Sequence, residues 1–225
     1  MLENNVTTIL WDMDGVLIDS QWGYDITLAE MFRYLGYTYG EEEIAKVTGS
    51  SHKNIHTTLG LDIPEETIQR LYIEALMKSI RVNVQSLVDG VPEYLDRLKR
   101  IGVNLAIGSS SPKELVDFVV DKFELKKWFD VIITGSDAEN GKPSPEIYLK
   151  CASLIGVGPK ECMVIEDSTN GIFAGKNAGM IVCAFTGTRH HAFDLSKADI
   201  EIESFSQTEL TKLLSFFRED LRDRL

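Results

Sequence analysis

Cysteine and histidine, the residue types that most often hold zinc, are scarce in this sequence. The chain has three cysteines and four histidines among 225 residues. The spacing of Cys151, Cys162 and Cys183 matches no zinc-binding pattern. All three lie in apolar segments, so we expect small core residues of a protein in a reducing compartment. The adjacent pair His190-His191 is far in sequence from the acidic motifs, which predicts solvated loop side chains rather than a metal site.

Positive charge and long hydrophobic runs are also scarce. Lysine and arginine total 23 against 35 aspartates and glutamates, which gives a net charge of −12. An acidic chain without a basic cluster is a poor candidate for binding nucleic acid or an anionic membrane. No apolar run approaches the length of a membrane span, and the N-terminal segment MLENNVTTIL does not resemble a signal peptide. We therefore expect a cytoplasmic protein without nucleic-acid or membrane partners, and a monomer is favoured.

Short apolar runs are present, and they alternate with segments that have helical character. Each run has four or five residues and is continuous rather than alternating, which is typical of strands buried on both faces of a parallel sheet. The pattern predicts an α/β fold with a doubly wound, Rossmann-like parallel sheet. The five predicted strands are Thr7–Trp11, Val103–Ile107, Val131–Thr134, Cys162–Ile165 and Ile181–Ala184.

Helix-start signals follow two of these runs. The segment Ser111-Pro112-Lys113-Glu114 has the sequence of a capping box with proline at the first helical position. Ser144-Pro145 predicts the start of another helix, and Gly156 predicts its end.

Residues 20–88 interrupt the alternation of strands and helices. Apolar residues have helical spacing around Leu28–Leu35 and around Ile68–Leu76, and no segment there is a convincing strand. A helical block of roughly 70 residues is too long for a loop. We therefore predict an all-helical subdomain over residues 20–88, inserted into a core made of residues 1–19 and 89–225.

Polar residues follow four of the predicted strands at the point where each strand ends. In an open parallel sheet, ligands bind outside the carboxyl ends of the strands, so we expect these residues to share one site. In chain order they are Asp12 and Asp14, then Ser109 and Ser110, then Lys142, and finally Glu166 and Asp167.

The residue types in this set predict a metal and phosphate site. Asp12 and Asp14 stand two residues apart, so they can face one site, and Asp167 adds a third carboxylate. Carboxylates without histidine or cysteine favour a hard cation, and Mg²⁺ is the ion we expect. Together with the ammonium of Lys142 and the hydroxyl of Ser109, such a cation suits a dianionic phosphate. An aspartate can attack phosphorus, while a second acid transfers the proton.

These motifs resemble those of the haloacid dehalogenase superfamily of phosphotransferases. The segment Asp12-Met13-Asp14-Gly15-Val16 is similar to the first motif of the family, and Ser109 is similar to the second. Lys142 of GKPSPEIY is similar to the third motif, and Glu166-Asp167 is similar to the fourth. The resemblance covers essentially the whole chain, and the helical insertion resembles the family's cap. It is strongest for the branch that holds β-phosphoglucomutase and small phosphosugar phosphatases.

The resemblance implies a role for each motif residue. Asp12 would be the nucleophile and a Mg²⁺ ligand, and Asp14 would be the general acid/base, with its main-chain carbonyl on the metal. Phosphoryl oxygens would be bound by Ser109, Ser110 and Lys142, and the metal by Asp167, with Glu166 either a ligand or a neighbour of the ligands.

Three functions are compatible with these motifs. The first is a Mg²⁺-dependent phosphomonoester hydrolase that acts through a phosphoaspartate on a small phosphorylated metabolite, with sugar phosphates the first choice. The second is a phosphosugar mutase, and the third is a non-catalytic binding protein on the same fold. Mutases of the β-phosphoglucomutase type carry a histidine and an arginine in the cap where this chain has Tyr24 and His52, which favours hydrolysis. The candidate substrate contacts in the insertion are Trp22, Tyr24, His52 and Lys53.

Overall fold

The computed structural model describes residues 5–36, 60, 63–188 and 193–224, and the strands in these ranges form one parallel sheet. The strands are β1 (Thr8–Trp11), β2 (Asn104–Gly108), β3 (Val131–Ile133), β4 (Cys162–Glu166), β5 (Ile181–Phe185) and β6 (Ile200–Ile202). Their order is β3-β2-β1-β4-β5-β6, and each neighbouring pair is parallel. The chain thus winds outward from β1 in both directions, which confirms the predicted doubly wound α/β fold.

The inner strands are buried on both faces, as their continuous apolar sequences predict. Every residue of β1, β4 and β5 is buried. Each of the five predicted strands is present, and its ends agree with the prediction to within one residue. The sequence did not predict β6, because this three-residue edge strand has the exposed Glu201 between Ile200 and Ile202 and lacks a continuous apolar run.

Helices precede or follow most of the strands. Gly156 ends the helix Glu146–Ile155 with a φ of +85°, as the sequence predicts. The predicted capping box at Ser111 is wrong: the helix Lys113–Lys122 has Pro112 at its N-cap and no side-chain cap, because the Ser111 hydroxyl donates to Asp14 instead. The helices are α1 (Gln21–Tyr34), α2 (Glu65–Asn83), α3 (Val91–Ile101), α4 (Lys113–Lys122), α5 (Glu146–Ile155), α6 (Thr169–Asn177), α7 (Gln207–Leu214) and α8 (Glu219–Arg222).

Apolar side chains pack against both faces of the sheet, and aromatic rings are prominent on one of them. Successive residues of a strand point to opposite faces, so Leu10 and Trp11 belong to different layers. Leu10 lies in an apolar cluster with Tyr148 of α5. On the other face, the centroid of the Trp11 ring is 6.0 Å from that of Tyr94 and 5.1 Å from that of Phe205. Both faces of β1 are therefore packed up to its last residue.

The three cysteines are buried and free, which confirms their predicted core positions. Burial raises the pKa of Cys151 and of Cys162 to about 12, and it raises the pKa of Cys183 as well. Their thiols therefore stay protonated at neutral pH, where a protonated thiol is a poor nucleophile and a poor metal ligand.

The chain divides into two compact units. One unit comprises residues 1–19 and 86–225, and the other comprises residues 20–85. Within the second unit α1 packs against α2, and helically spaced apolar residues such as Leu28 and Ile68 are buried. None of the described helices of either unit combines the length and the apolar character that crossing a membrane requires.

Candidate active site

The first segment of the candidate site leaves β1 at its carboxyl end. The N–H of Asp12 donates to the Ile165 carbonyl at 3.0 Å, which continues the pairing of β1 with β4. Gly15 then turns the chain with a φ of +78°, and its N–H donates to the Ile18 carbonyl at 2.8 Å. A residue with a side chain rarely adopts that backbone conformation. The turn therefore keeps both Asp12 and Asp14 at the edge of the sheet instead of letting the strand continue.

A buried lysine lies between two of the predicted carboxylates. Lys142 Nζ is 2.5 Å from Asp12 Oδ1 and 2.6 Å from Glu166 Oε1, and the Lys142 side chain is 6% exposed. Burial alone lowers the pKa of Lys142, but the two carboxylates outweigh it and raise this pKa, so the ammonium stays charged. Burial raises the pKa of Asp12 to about 8, against the attraction of Lys142. A further cation beside Asp12 would favour its ionised form, as Lys142 does.

Both oxygens of Glu166 are fixed by hydrogen bonds. Oε1 accepts from Lys142 Nζ and, at 2.8 Å, from the hydroxyl of Tyr148. Oε2 accepts from the N–H groups of Asp167 and Ser168 at 3.0 and 3.1 Å, and from Ser168 Oγ at 3.0 Å. A carboxylate with donors on each oxygen has little freedom to rotate. Glu166 is therefore well placed to orient Lys142.

The start of α6 leaves space for the carboxylate of Glu166. Ser168 is the N-cap, and its Oγ accepts from the Gly171 N–H at 3.1 Å. A Cβ added to Gly171 would lie 1.7 Å from Glu166 Oε1, which is far inside van der Waals contact. The absence of a side chain at Gly171 is thus a condition for the observed position of Glu166.

We expect Gly171→Ala to destabilise the protein, although glycine-to-alanine replacement inside a helix is ordinarily worth about 1 kcal/mol of stabilisation. The added methyl group must displace Glu166 or the start of α6, and overpacking of this kind costs about 1–3 kcal/mol. The free energy of unfolding, measured in urea, tests this. Gly141→Ala is the control, because a Cβ there meets no described atom within 4 Å. Equal stability of the two variants would contradict the steric argument.

Two serines after β2 bind the second aspartate. Ser111 Oγ donates to Asp14 Oδ2 at 2.6 Å, and Ser109 Oγ lies 3.4 Å from the same oxygen. Ser109 Oγ also accepts from the Ser111 N–H at 3.0 Å. The sequence pattern predicts a helix-capping role for Ser111, whereas its hydroxyl faces the candidate site. Ser111 stands two residues after Ser109, just past the end of a strand. That spacing indicates that the two hydroxyls point the same way.

The predicted phosphate-binding residue Ser110 lies between these two serines and is exposed. Its main chain passes close to the segment that follows β3: a Cβ added to Gly135 would lie 2.2 Å from the Ser110 carbonyl oxygen. The N–H of Gly135 donates to the Ser111 carbonyl at 2.9 Å. The loop after β2 is therefore held in place by the neighbouring strand's loop.

Three buried carboxylates at the ends of β1 and β4 are close enough to share a cation. Asp12, Glu166 and Asp167 each offer an oxygen, and these oxygens lie within 4.8 Å of one another. Within the described residues, the Asp14 carboxylate is not part of this group; it accepts from Ser111 instead. An oxygen-only donor set with excess negative charge fits a hard divalent cation.

The remaining predicted contacts lie outside the described part of the chain. His52, Lys53, His190 and His191 are not among the described residues. Trp22 and Tyr24 belong to α1, but their side chains are likewise outside the description. The substrate contacts assigned to the insertion therefore stay predictions.

Two curated relatives extend over nearly the whole chain. Hexitol phosphatase B of Escherichia coli is 30% identical in an alignment that covers 92% of this chain and 95% of that protein. The phosphorylated carbohydrates phosphatase of Thermotoga maritima is 29% identical over 221 residues, which cover 95% of this chain and 99% of that protein. Both relatives are named phosphatases, one of hexitol and the other of phosphorylated carbohydrates.

A solved structure and a family model agree with this similarity. CbbY from Rhodobacter sphaeroides, in complex with xylulose-1,5-bisphosphate, has a TM-score of 0.76 and 26% identity, covering 90% of this chain and 96% of that one. The model of the haloacid dehalogenase-like hydrolase family matches residues 9–185, which include all the motif residues described above. The chain therefore belongs to the haloacid dehalogenase-like hydrolases.

Proposed function

We propose that the protein is a Mg²⁺-dependent phosphomonoester hydrolase that forms a phosphoaspartate on Asp12. The observation that carries the proposal is the buried Lys142 ammonium, 2.5 Å from Asp12 and 2.6 Å from Glu166 at the ends of β1 and β4. A fixed ammonium beside a carboxylate suits the transfer of a phosphoryl group, because it stabilises negative charge on the transferred oxygens and lowers their repulsion from the nucleophile.

The chain's own residues supply each step of this mechanism. An oxygen of Asp12 attacks phosphorus and forms the acyl phosphate, while Lys142 and the Ser109 hydroxyl bind the phosphoryl oxygens. Asp14, oriented by Ser111, gives a proton to the departing oxygen and then takes one from the water that hydrolyses the intermediate. Asp12 and Asp167 would hold the Mg²⁺ ion, which when bound offsets the negative charge of the carboxylates and the phosphate.

Sugar phosphates are the substrates we propose to test first. The support is the naming of the two relatives as phosphatases of hexitol and of phosphorylated carbohydrates, and the bisphosphate bound to the structural neighbour. A panel of phosphorylated sugars, with phosphoglycolate and nucleotides alongside, would be incubated with Mg²⁺. Release of inorganic phosphate identifies a hydrolase, whereas conversion to an isomeric sugar phosphate without phosphate release would identify a mutase. No turnover of any ester would contradict the proposal.

Removal of metal should abolish turnover, because the buried carboxylates repel an incoming phosphate unless a cation lies between them. We expect activity to vanish in EDTA and to return with Mg²⁺. Asp167→Asn should raise the required Mg²⁺ concentration much more than Glu166→Gln, because the Glu166 oxygens already accept bonds from Lys142 and Tyr148 and from the main chain.

Titration calorimetry of each variant with Mg²⁺ gives the same comparison without a substrate. Full activity in EDTA would contradict the metal requirement. Equal losses of Mg²⁺ affinity in the two variants would instead make Glu166 a direct ligand.

A further inference from the structure

Tyr148 of α5 contacts the candidate site from within the core. Its side chain is fully buried, and its hydroxyl donates to Glu166 Oε1 at 2.8 Å. The centroid of its ring is 4.8 Å from Lys142 Nζ, a distance at which a ring face attracts a cation. One side chain thus contacts both members of the Lys142–Glu166 ion pair. Tyr148 is the last residue of the GKPSPEIY segment, but the proposed mechanism gives it no role.

The two oxygens of Glu166 are held by different parts of the chain. The donors to Oε2 are main-chain and side-chain groups of Asp167 and Ser168, immediately after Glu166. Oε1 is held by Lys142, which lies in a loop, and by Tyr148, which lies in a helix. Among the described residues, the Tyr148 hydroxyl is the donor that fixes Oε1 independently of Lys142. Without the Tyr148 hydroxyl, the position of Oε1 would depend on Lys142, the group that Oε1 is meant to position.

Gly108 in the sheet leaves space for the ring of Tyr148. A Cβ added to Gly108, the last residue of β2, would lie 3.0 and 3.1 Å from two carbons of the Tyr148 ring. Real Cβ atoms rarely approach so closely, so any larger residue at that position would require the Tyr148 ring or the end of β2 to shift. Gly108 directly precedes Ser109, so the space for Tyr148 is built into the strand that also supplies the serines.

We propose that Tyr148 is a positioning residue for Lys142: its hydroxyl fixes the Glu166 oxygen to which Lys142 binds, and its ring supports the ammonium. The inference rests on the proposed function, in which Lys142 binds the transferred phosphoryl group. A lysine held in place contributes most when charge develops on the phosphoryl oxygens, so the effect belongs to kcat rather than to substrate binding.

The test compares two tyrosine-to-phenylalanine variants. Tyr148→Phe keeps the ring and removes the hydroxyl. Tyr94→Phe is the matched control, because the Tyr94 hydroxyl is also buried and has no hydrogen-bond partner among the described residues. With the sugar phosphate that the wild type turns over fastest, we expect kcat of Tyr148→Phe to fall about tenfold while KM stays within about twofold. Tyr94→Phe should keep the wild-type kcat.

A second measurement does not depend on activity. NMR signals of lysine ammonium groups report how fast their hydrogens exchange with water, and Lys142→Arg identifies the Lys142 signal. We expect this exchange to be about tenfold faster in Tyr148→Phe and unchanged in Tyr94→Phe. An unchanged exchange rate, an unchanged kcat, or a rise in KM alone would overturn the positioning role. If the wild type hydrolyses no phosphate ester, the proposed function fails, and the exchange measurement alone decides whether Tyr148 positions Lys142.

Discussion

Asp12→Asn should abolish turnover, whereas Asp14→Asn should leave a slow enzyme that accumulates a phosphorylated protein. The amide of the first variant cannot attack phosphorus, so no covalent intermediate can form. The second variant keeps the nucleophile and loses the group that transfers the proton, a contribution of about 10²–10⁴-fold. With an aryl or acyl phosphate, whose leaving group needs little protonation, the first step still proceeds. Hydrolysis of the phosphoaspartate is then slow, because no general base assists the attacking water.

Intact mass measured after an acid quench separates the two variants. The Asp14→Asn protein should carry one additional phosphoryl group, and peptide mapping should place it on Asp12. The Asp12→Asn protein, treated in the same way, should carry none. Phosphorylation of Asp12→Asn, or of Ser109 in either variant, would refute the assignment of Asp12 as the nucleophile.

Lys142→Met should cost both activity and a large part of the stability of the metal-free protein. The methionine keeps an unbranched side chain but removes the charge that pairs with Asp12 and Glu166, whose side chains are 9% and 1% exposed. Breaking a buried ion pair by removing one partner typically costs about 3–5 kcal/mol, since a charge stays buried without compensation. The free energy of unfolding in urea, measured with EDTA present, gives this loss directly.

The pH dependence of that loss follows from the carboxylates. The pKa of Asp12 in the folded protein is raised to about 8 even with Lys142 in place, above its ordinary value of 3.8. Removal of the ammonium raises it further, so the folded variant binds protons more tightly than the unfolded chain. The wild type shares this proton uptake up to its own folded pKa, so the part of the deficit due to Asp12 should be small below about pH 7 and should grow as the pH rises through 8 and above it.

Lys113→Met is the control, because Lys113 forms an exposed ion pair with Asp117 on α4. An exposed pair contributes little to stability, so this variant should unfold as the wild type does. A Lys142→Met protein with wild-type stability at pH 9 would show that the ion pair does not hold the site together. A deficit that shrinks with rising pH would contradict the burial of ionised Asp12 as its cause.

The sequence predicts the fold well because the buried strands are recognisable without tertiary information. A continuous apolar run such as Cys162–Ile165 suits a strand covered on both faces, and the structure has β4 there. The edge strand β6 could not be found in the same way, since one of its three side chains is exposed to water.

The contacts within the site are harder to predict, because each one joins segments that are distant in the sequence. Ser111 has the sequence signature of a helix cap, and only the folding of β2 beside β1 brings its hydroxyl to Asp14. Tyr148 has the sequence signature of a core aromatic on α5, and its buried ring agrees with that. Its bond to Glu166 depends on how α5 packs on the sheet, which no local pattern encodes.

The central place of β1 has a consequence for synthesis on the ribosome. β1 is translated before its partner β4, which follows about 150 residues later, with Leu10 opposite Val164. At a translation rate of about 5–20 residues per second, β1 stays unpaired on that side for roughly 8–30 s. During this interval a strand with three successive apolar residues, Ile9–Trp11, is open to aggregation or to chaperones. Nascent chains stalled before β4 should therefore bind chaperones through the segment that leads into Asp12.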